Sequence, residues 1–403
     1  MNHCLIRLLV CAGLLSSATA PGAAATDQAP PSAAVRAYRM HMFDEPVRTL
    51  ANRSIALMFN TAPIKAGGKA MPLPSKPAPL NFSYDYDGKT HPATDIVERT
   101  STDGLLIIKK GVIVYEGYFN RAGPDTHLNS YSMAKSMNAI MIGLALKQRL
   151  IGSVGDPVTR YIPELRGTGY DSATIRDLME MRSGAAWDEN FFKPGTSAYE
   201  AHVASWVEER ARYTDGALKT VREHQPGTYF RYNSMDAAVV GWVVERAAGM
   251  PVSRFMSQRL WSQAGMEEDA FYIIDGPPGI GREFTAGGFN AVLRDYGRLG
   301  LLMLNNGRMN GRDFFPADFV ANLSRDIPTS GEDGLGYGWF WWTVRGTRAV
   351  TALGGEGQYI FFDPDTQTVI VKMSHGPVGP PAEPIQAETV AFLKAASQWD
   401  GRP

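Results

Sequence analysis

The sequence predicts an α+β fold with two lobes: an antiparallel sheet flanked by helices, and a mostly helical lobe spanning about residues 156–306. Three observations lead to this prediction. Apolar, strand-like runs lie towards both ends of the chain, a long segment with helical spacing separates them, and an amphipathic segment follows the last strands. Strands from both ends can therefore join one sheet, and we expect a site at the seam between the lobes.

The composition limits the classes of protein to consider. The 403 residues are 44% hydrophobic and 20% charged, with a formal net charge of −1. This is enough for a large core, in one large domain or two closely packed lobes. The near-zero charge and the lack of a long basic run argue against a nucleic-acid partner. The sequence has no H-E-x-x-H motif, and we expect no metal or cofactor. We expect the substrate to be a small molecule.

The first 25 residues have the pattern of an export signal. Arg7 supplies a positive start, an apolar stretch covers residues 8–15, and small residues follow as cleavage sites. The apolar stretch is too short to span a bilayer, and no later segment reaches that length. Both cysteines, Cys4 and Cys11, lie inside this segment, so the mature protein would have no disulfides. We therefore predict a periplasmic or secreted protein.

The segment from 26 to 100 precedes the main domain, which we place at about 101–400. Residues 26–34 are rich in Ala and Pro, and we expect a disordered linker there. We interpret residues 35–99 as a packed N-terminal extension or lid, with four prolines between 72 and 79 forming a semi-extended stretch. The alternative is a poorly ordered leader.

The elements of the main domain follow in order from Gly104. Residues 105–108 and 112–115 flank a Lys-Lys-Gly turn, which predicts a β-hairpin. A helix with apolar residues at helical spacing follows from Met133, and Gly152 ends it. The remaining predicted elements are helices at 175–179, 237–248 and 293–304, strands at 339–344, 359–362 and 369–373, and a final helix at 384–398.

Ser132 and Lys135 lie three residues apart at the start of that apolar helix, so their side chains share one face. A serine hydroxyl needs an adjacent deprotonated base to become a nucleophile, and a lysine amine can serve when burial lowers its pKa. The helix N-terminus favours negative charge, and the free N–H of Ser132 can form half of an oxyanion hole. The alternative is a helix-capping serine beside a lysine whose amine reaches solvent.

Two downstream features can complete such a site. Tyr232 precedes a predicted helix and can relay a proton between the nucleophile and the leaving group, although a half-buried capping tyrosine is the alternative. The segment Gly354–Gln358 leads into a strand, and an N–H of Gly355 or a neighbour can complete the oxyanion hole. A plain tight turn or bulge is the alternative there. His375 at a strand end offers a Ser–His–Asp triad with Ser132, which Lys135 makes unnecessary.

These motifs, in this order, resemble the class C β-lactamase-like serine hydrolases. The flanking segments 230–234, 241–246, 287–290 and 293–295 are similar to the 6-aminohexanoate-dimer hydrolase branch, and the resemblance covers about residues 104–378. It implies a β-lactamase/penicillin-binding transpeptidase-like fold. It also implies an acyl-enzyme on Ser132, with Lys135 as base and Tyr232 as proton relay. The residues placed beside the substrate or the oxyanion are Gly355, Glu356, Gly357, Asn290 and Asp188.

Two departures from the family pattern shape the substrate prediction. Glu356 stands where β-lactamases carry Lys and many relatives carry His, so it would repel the carboxylate of a β-lactam. Phe191 follows an acidic pair where amide-cleaving relatives often have Tyr, and it has no hydroxyl to hold an amide leaving group. We therefore predict a serine hydrolase of small esters or linear amides that are neutral or cationic near Glu356. The alternatives are a β-lactamase or penicillin-binding peptidase, and a non-catalytic binding protein on the same fold.

Overall fold

The computed structural model describes residues 30–402 except 46, 328, 330–333 and 380. The predicted export signal, with Cys4 and Cys11, and residues 26–29 of the predicted linker lie outside the described residues. The linker prediction is wrong for its last two residues, because a helix begins at Ala33. The Ser32 hydroxyl caps this helix by accepting a hydrogen bond from the N–H of Val35.

The strands of the described residues are mostly short and all pair in antiparallel fashion. They are β1 (Thr61–Ile64), β2 (Ser83–Tyr86), β3 (Lys89–Pro92), β4 (Thr102–Lys109), β5 (Val112–Tyr118), β6 (Leu128–Asn129), β7 (Ala270–Asp275), β8 (Arg282–Glu283), β9 (Phe289–Ala291), β10 (Arg308–Met309), β11 (Arg312–Asp313), β12 (Leu335–Tyr337), β13 (Trp342–Val344), β14 (Val350–Gly354), β15 (Gln358–Asp363) and β16 (Thr368–Ser374).

The helices of the described residues lie between and around these strands. They are α1 (Ala33–Met40), α2 (Arg48–Ala51), α3 (Ile55–Met58), α4 (Ile96–Arg99), α5 (Met133–Lys147), α6 (Ile175–Met179), α7 (Ser197–His202), α8 (Ser234–Ala248), α9 (Val252–Met256), α10 (Ser262–Ala264), α11 (Leu293–Leu304), α12 (Phe319–Leu323) and α13 (Ala382–Gln398). In this part of the chain, no helix has both the length and the apolar character needed to cross a bilayer.

The main sheet joins strands from both ends of the chain, as the sequence predicts. Its seven strands have the order β12-β13-β14-β15-β16-β4-β5, so β4 and its hairpin partner β5 pair onto β16. Apolar residues face each other across the central strands and are buried there: Leu106 lies opposite Val371, and Val371 lies opposite Ile360. The predicted α+β fold is confirmed by this arrangement.

Helices cover both faces of this sheet. Successive strand residues point to opposite faces, and on β15 Ile360 lies against α11 while Tyr359 meets Thr389 of α13. The approach of α11 is close because Gly300 has no side chain: a Cβ there would lie 2.4 Å from Val369 Cγ1. A substitution at Gly300 would therefore push the helix off the sheet.

The second lobe is less purely helical than predicted. Residues 156–306 contain α6 to α11, but also β7, β8 and β9, which form a five-stranded sheet with β1 and β6. Periodicity missed these strands because they are short, and because β7 and β9 also pair with β1 and β6, which lie far away in the sequence. The predicted strand at 339–344 is also shorter, starting at Trp342, because Phe340 has φ +58° and breaks the extended backbone.

Candidate active site

The start of α5 sets the position of Ser132. The helix crosses the interior and is buried over Met133–Ala145, while Ser132 before its first turn stays half-buried. Tyr131, the residue before it, has φ +43°, a strained conformation for a residue with a Cβ. This turn leaves the Ser132 hydroxyl facing a cavity at the N-terminal end of a buried helix.

Lys135 lies one turn into α5 and its amine meets the Ser132 hydroxyl. Lys135 Nζ donates hydrogen bonds to Ser132 Oγ and to the Ala286 carbonyl oxygen, each over 2.9 Å. Burial lowers the pKa of Lys135 to about 8, and the negative charge of Glu189 works in the opposite direction. A substantial fraction of the amine is therefore neutral near pH 8, and that neutral amine lies next to the hydroxyl it would deprotonate.

Tyr232 lies on the other side of this pair. Its ring centroid is 5.1 Å from Lys135 Nζ, its side chain interacts with the Ser132 hydroxyl, and it stacks on Trp342. Burial raises the pKa of Tyr232 above its usual value, so the phenol carries its proton at neutral pH. Asn233, not Tyr232, caps α8, and therefore the capping alternative for Tyr232 is wrong.

Glu189 and Ser234 are polar neighbours of this pair to which the sequence pattern gives no role. The Ser234 N–H donates to Glu189 Oε2 over 2.9 Å, the Ser234 hydroxyl donates to Oε1, and the Trp187 indole N–H also binds this carboxylate. Burial raises the pKa of Glu189, while the Lys135 charge and these hydrogen bonds lower it. The available signal in the sequence was the position of Ser234, two residues after Tyr232.

The glycine segment at the end of β14 packs against the nucleophile helix. A Cβ on Gly354 would lie 2.2 Å from the Ser130 carbonyl oxygen and 3.2 Å from the Met133 nitrogen, so only glycine permits this approach. Gly355, the next residue, lines the same cavity as Ser132. The structure thus brings together four of the predicted site residues: Ser132, Lys135, Tyr232 and Gly355.

The prediction that Glu356 faces the substrate is wrong. Its side chain is 2% exposed and is not part of the cavity wall within the described residues. With φ +62°, the turn directs Glu356 away from Gly355, to the Asn52 amide and the Tyr131 hydroxyl. Burial raises the pKa of Glu356 to about 8. Charge repulsion by Glu356 is therefore no argument against a β-lactam.

Three further predicted residues also lie away from the cavity in the described structure. A Cβ on Gly357 would point at Ser374, 3.2 Å away, behind the site. Asn290 is fully buried in β9, where its amide donates to the Gly288 carbonyl oxygen over 3.1 Å. The Asp188 side chain is exposed, and it accepts a hydrogen bond from a backbone N–H two residues later. Asn290 therefore belongs to a paired strand and Asp188 to a local turn, and neither lines the cavity.

His375 belongs to a separate polar cluster. Its Nδ1 lies 3.0 Å from both carboxylate oxygens of Asp103, and its carbonyl accepts a hydrogen bond from Arg48. Because His375 is engaged by Asp103 outside the cavity wall, the geometry does not support a triad with Ser132. Within the described residues, no group of His, Cys, Asp and Glu is arranged to hold a metal ion.

The cavity above Ser132 has a volume of about 200 Å³, and half of the described residues that line it are aromatic. Ser132, Lys135, Ser234 and Gly355 are among the residues that line it. Burial lowers the pKa of His202, one of the wall residues, to about 4, so that imidazole is neutral at neutral pH. The aromatic wall residues are Phe43, Tyr131, Phe191, Phe192, His202, Trp206 and Phe284.

The two-lobed fold and a serine–lysine pair beside a tyrosine define a serine hydrolase of the β-lactamase type. The comparison with protein families agrees: the model described as Beta-lactamase matches residues 94–394. The chain belongs to the beta-lactamase family, and the fold and family resemblance predicted from the sequence are confirmed.

Similar proteins include a 6-aminohexanoate-dimer hydrolase and, by fold, a penicillin binding protein. The 6-aminohexanoate-dimer hydrolase of Paenarthrobacter ureafaciens is 29% identical over 298 residues, covering 70% of this chain and 74% of that one. A solved structure from Bacillus anthracis, named provisionally as a 6-aminohexanoate-dimer hydrolase, superposes with a TM-score of 0.77 at 24% identity, covering 90% and 97%. A penicillin binding protein from Bacillus halodurans has a TM-score of 0.60 at 17% identity, covering 74% and 99%.

Proposed function

We propose that the protein hydrolyses small carboxylic esters or linear amides through an acyl-enzyme on Ser132. The observation that carries this proposal is the 2.9 Å hydrogen bond between Lys135 Nζ and Ser132 Oγ, where burial lowers the pKa of the amine to about 8. A lysine held in this state can remove the serine proton without help from a histidine.

In the proposed acylation step, Ser132 Oγ attacks the substrate carbonyl carbon while the neutral Lys135 amine takes the hydroxyl proton. The carbonyl π electrons move to oxygen, and the N–H groups of Ser132 and Gly355 stabilise that oxyanion. The intermediate collapses, the bond to the leaving group breaks, and the leaving oxygen or nitrogen receives a proton from Lys135 through the Tyr232 phenol. Water then attacks the acyl-enzyme by the same route and releases the carboxylic acid.

The side chains that line the cavity argue against the peptidase and β-lactamase alternatives. These activities act on substrates with a carboxylate, and a carboxylate in a mostly apolar cavity needs a cationic partner. Among the described residues lining the cavity, Lys135 is the one with a basic side chain that can be charged at neutral pH, and it is engaged by Ser132 and Ala286. Phe191 lines the cavity and has no hydroxyl, which favours esters over amides.

The test is hydrolysis of p-nitrophenyl acetate combined with intact-mass detection of the acylated enzyme. The wild-type protein should hydrolyse the ester and gain the mass of one acetyl group, whereas Ser132→Ala should do neither. Full activity of Ser132→Ala would show that another residue is the nucleophile. Absence of any adduct, including one from a fluorophosphonate, would favour the non-catalytic binding protein.

A fluorescent penicillin separates the remaining alternative. Stable, stoichiometric labelling of Ser132 would favour a penicillin-binding peptidase, and rapid turnover of the penicillin would favour a β-lactamase.

We further propose that the protein is exported after removal of its first 20 to 25 residues, on the pattern of its N-terminus. Sequencing the N-terminus of the mature protein from a periplasmic fraction tests this.

A further inference from the structure

The segment before the family domain supplies part of the cavity wall. The family model begins at residue 94, yet Phe43 lies on the same cavity as Ser132. Phe43 follows α1 in the N-terminal extension and lies over the residue next to the nucleophile, with its ring centroid 5.8 Å from that of Tyr131. Through Phe43, the extension can therefore contact a substrate bound at Ser132.

A buried ion pair attaches this segment to the part of the chain that carries Trp206. Arg39 of α1 is 3% exposed, and its guanidinium lies 2.8 Å from a Glu209 carboxylate oxygen. Arg39 also donates to the carbonyl oxygens of Trp206, over 2.9 Å, and Met58, over 2.8 Å. Because Trp206 is itself a wall residue, these contacts fix the end of α1, which precedes Phe43, against the backbone of the wall.

The wall is a continuous series of ring contacts. The Phe43 ring meets Phe192 edge-on at 5.8 Å between centroids and lies 6.3 Å from His202. His202 in turn lies 5.4 Å from Trp206, whose ring meets Phe284 at 4.7 Å. Such a surface favours apolar atoms. Ring faces attract a cation by about 0.5–2 kcal/mol, which is less than the several kcal/mol that removing a charged group from water costs.

Each ionisable side chain that the structure describes near the wall is either neutral or hydrogen-bonded within the protein. His202 is neutral at neutral pH, and Lys135 is engaged by Ser132 and Ala286. The Glu189 carboxylate is bound by Ser234 and Trp187. A charged substrate group would therefore enter the cavity without a free partner of opposite charge among these residues.

We propose that the aromatic cavity selects substrates carrying a neutral, apolar group, and that Phe43 is a specificity-determining residue. This inference rests on the proposed acyl-transfer chemistry at Ser132. The cavity of about 200 Å³ is large enough for a hexyl chain or a phenyl ring, since an apolar cavity of about 150 Å³ already binds benzene. Linear substrates with a terminal ammonium or carboxylate are disfavoured.

The experiment measures kcat/KM for two ester series. One series varies the acyl chain of p-nitrophenyl esters from acetyl to octanoyl, and the other varies the alcohol of acetate esters from ethyl to hexyl and benzyl. In at least one series kcat/KM should rise about threefold to fourfold per methylene, up to roughly six carbons. The matching ester with a terminal amino or carboxylate group should be at least about tenfold slower.

Phe43→Ala should flatten the preferred series, reducing kcat/KM at least about tenfold for the six-carbon ester and no more than about twofold for the smallest one. Phe43→Leu should retain most of the preference, because it keeps an apolar wall. Leu57→Ala is the matched control, since Leu57 lies in the same extension and is 87% exposed. It should leave both series unchanged, and thermal unfolding of each variant checks that folding is intact.

The outcomes separate this inference from the proposed function. If small esters are hydrolysed but neither series shows a chain preference, or if the charged ester reacts equally well, the inference is overturned while the acyl-enzyme chemistry stands. If no ester is hydrolysed, calorimetric measurement of ligand binding to Ser132→Ala still tests whether the cavity prefers neutral, apolar groups. Binding of 1-hexanol but not of hexylammonium, lost in a Ser132→Ala/Phe43→Ala protein, supports the inference, and the opposite pattern overturns it.

Discussion

The Tyr131 hydroxyl lies 3.1 Å from Glu356 Oε1, and this contact joins the residue before Ser132 to the residue after Gly355. Both residues have a positive φ, +43° and +62°, which is uncommon for residues with a Cβ. The Asn52 side chain contacts both of them, with its Oδ1 2.6 Å from the Tyr131 hydroxyl. The N-terminal extension therefore holds together the two turns that present Ser132 and Gly355.

Glu356 should make stability depend on pH. Its pKa is raised to about 8 by burial, from an ordinary value near 4.5. Because the folded-state pKa is the higher one, the stabilisation is fully present below about pH 4.5 and is lost as pH rises through about 8. Across that window, we expect the free energy of unfolding of the wild type to fall relative to Glu356→Gln, by an amount on the order of a few kcal/mol. Urea unfolding at several pH values measures this difference.

Glu356→Gln is the appropriate reference because its amide cannot ionise and has nearly the same volume. Other buried carboxyls, such as Asp236 with its pKa raised to about 8, contribute equally to both proteins and cancel in the comparison. A difference in unfolding free energy that stays constant from pH 4 to pH 9 would contradict the prediction.

Lys135 should govern the pH dependence of catalysis. A base must be deprotonated to act, so kcat/KM should rise with pH and level off above an apparent pKa of about 8. Glu189→Gln removes a negative charge that raises the pKa of Lys135, and the rise should therefore move to lower pH. Initial rates of ester hydrolysis between pH 5 and pH 10 give both profiles.

Asp188→Asn is the matched control for this shift. It removes a negative charge from the neighbouring position, but its side chain is exposed and lies outside the cavity wall. Its profile should overlay that of the wild type, since water and salt screen an exposed charge. Equal shifts in both variants would point to a general charge effect rather than to Glu189.

Tyr232→Phe should impair the chemical step without unfolding the protein. The variant keeps the ring that stacks on Trp342, so thermal stability should change little. Loss of the phenol removes the proton relay, and we expect kcat to fall by about 10²- to 10⁴-fold. Steady-state hydrolysis of ethyl acetate measures this loss, because its alkoxide leaving group must be protonated, whereas p-nitrophenolate leaves without a proton. A fall confined to KM would show that Tyr232 only contributes to substrate binding.

Arg39→Met should destabilise the attachment of the N-terminal extension. It leaves the Glu209 carboxylate, 3% exposed at its side chain, without its ion-pair partner. Breaking such a buried pair costs about 3–5 kcal/mol, so thermal unfolding should shift clearly downward. The double variant Arg39→Met/Glu209→Gln should recover part of the loss.

The exposed pair of Arg210 and Glu208 offers a comparison for the Arg39 variant. It lies next in sequence to Glu209, but both side chains are largely in solvent. Arg210→Met should therefore change stability very little. If Arg210→Met and Arg39→Met were equally destabilising, burial of the Arg39 pair would not be the cause.

The sequence alone determined the elements whose signals are local. The hairpin of β4 and β5, the start of helix α5 and both ends of helix α11 were predicted correctly, because apolar spacing and turn residues act within a few positions. The ends were less well predicted, since β4 begins at Thr102, β5 continues to Tyr118 and α5 ends at Lys147 rather than at Gly152. The pairing of Ser132 with Lys135 was predicted for the same reason, since one helical turn sets their distance. Motif order then indicated the family and the place of Tyr232.

Only the tertiary structure decided which side chains face the cavity. Glu356 and Asn290 were assigned to the substrate from motif position, but the backbone conformation at Glu356 and the pairing of β9 direct both into the interior. Phe43 carries no motif, and its approach to Tyr131 depends on contacts such as Arg39–Glu209 between residues far apart in the chain. Sequence spacing encodes neighbours along one element, whereas the wall of the cavity is made by packing between elements that the chain brings together only on folding.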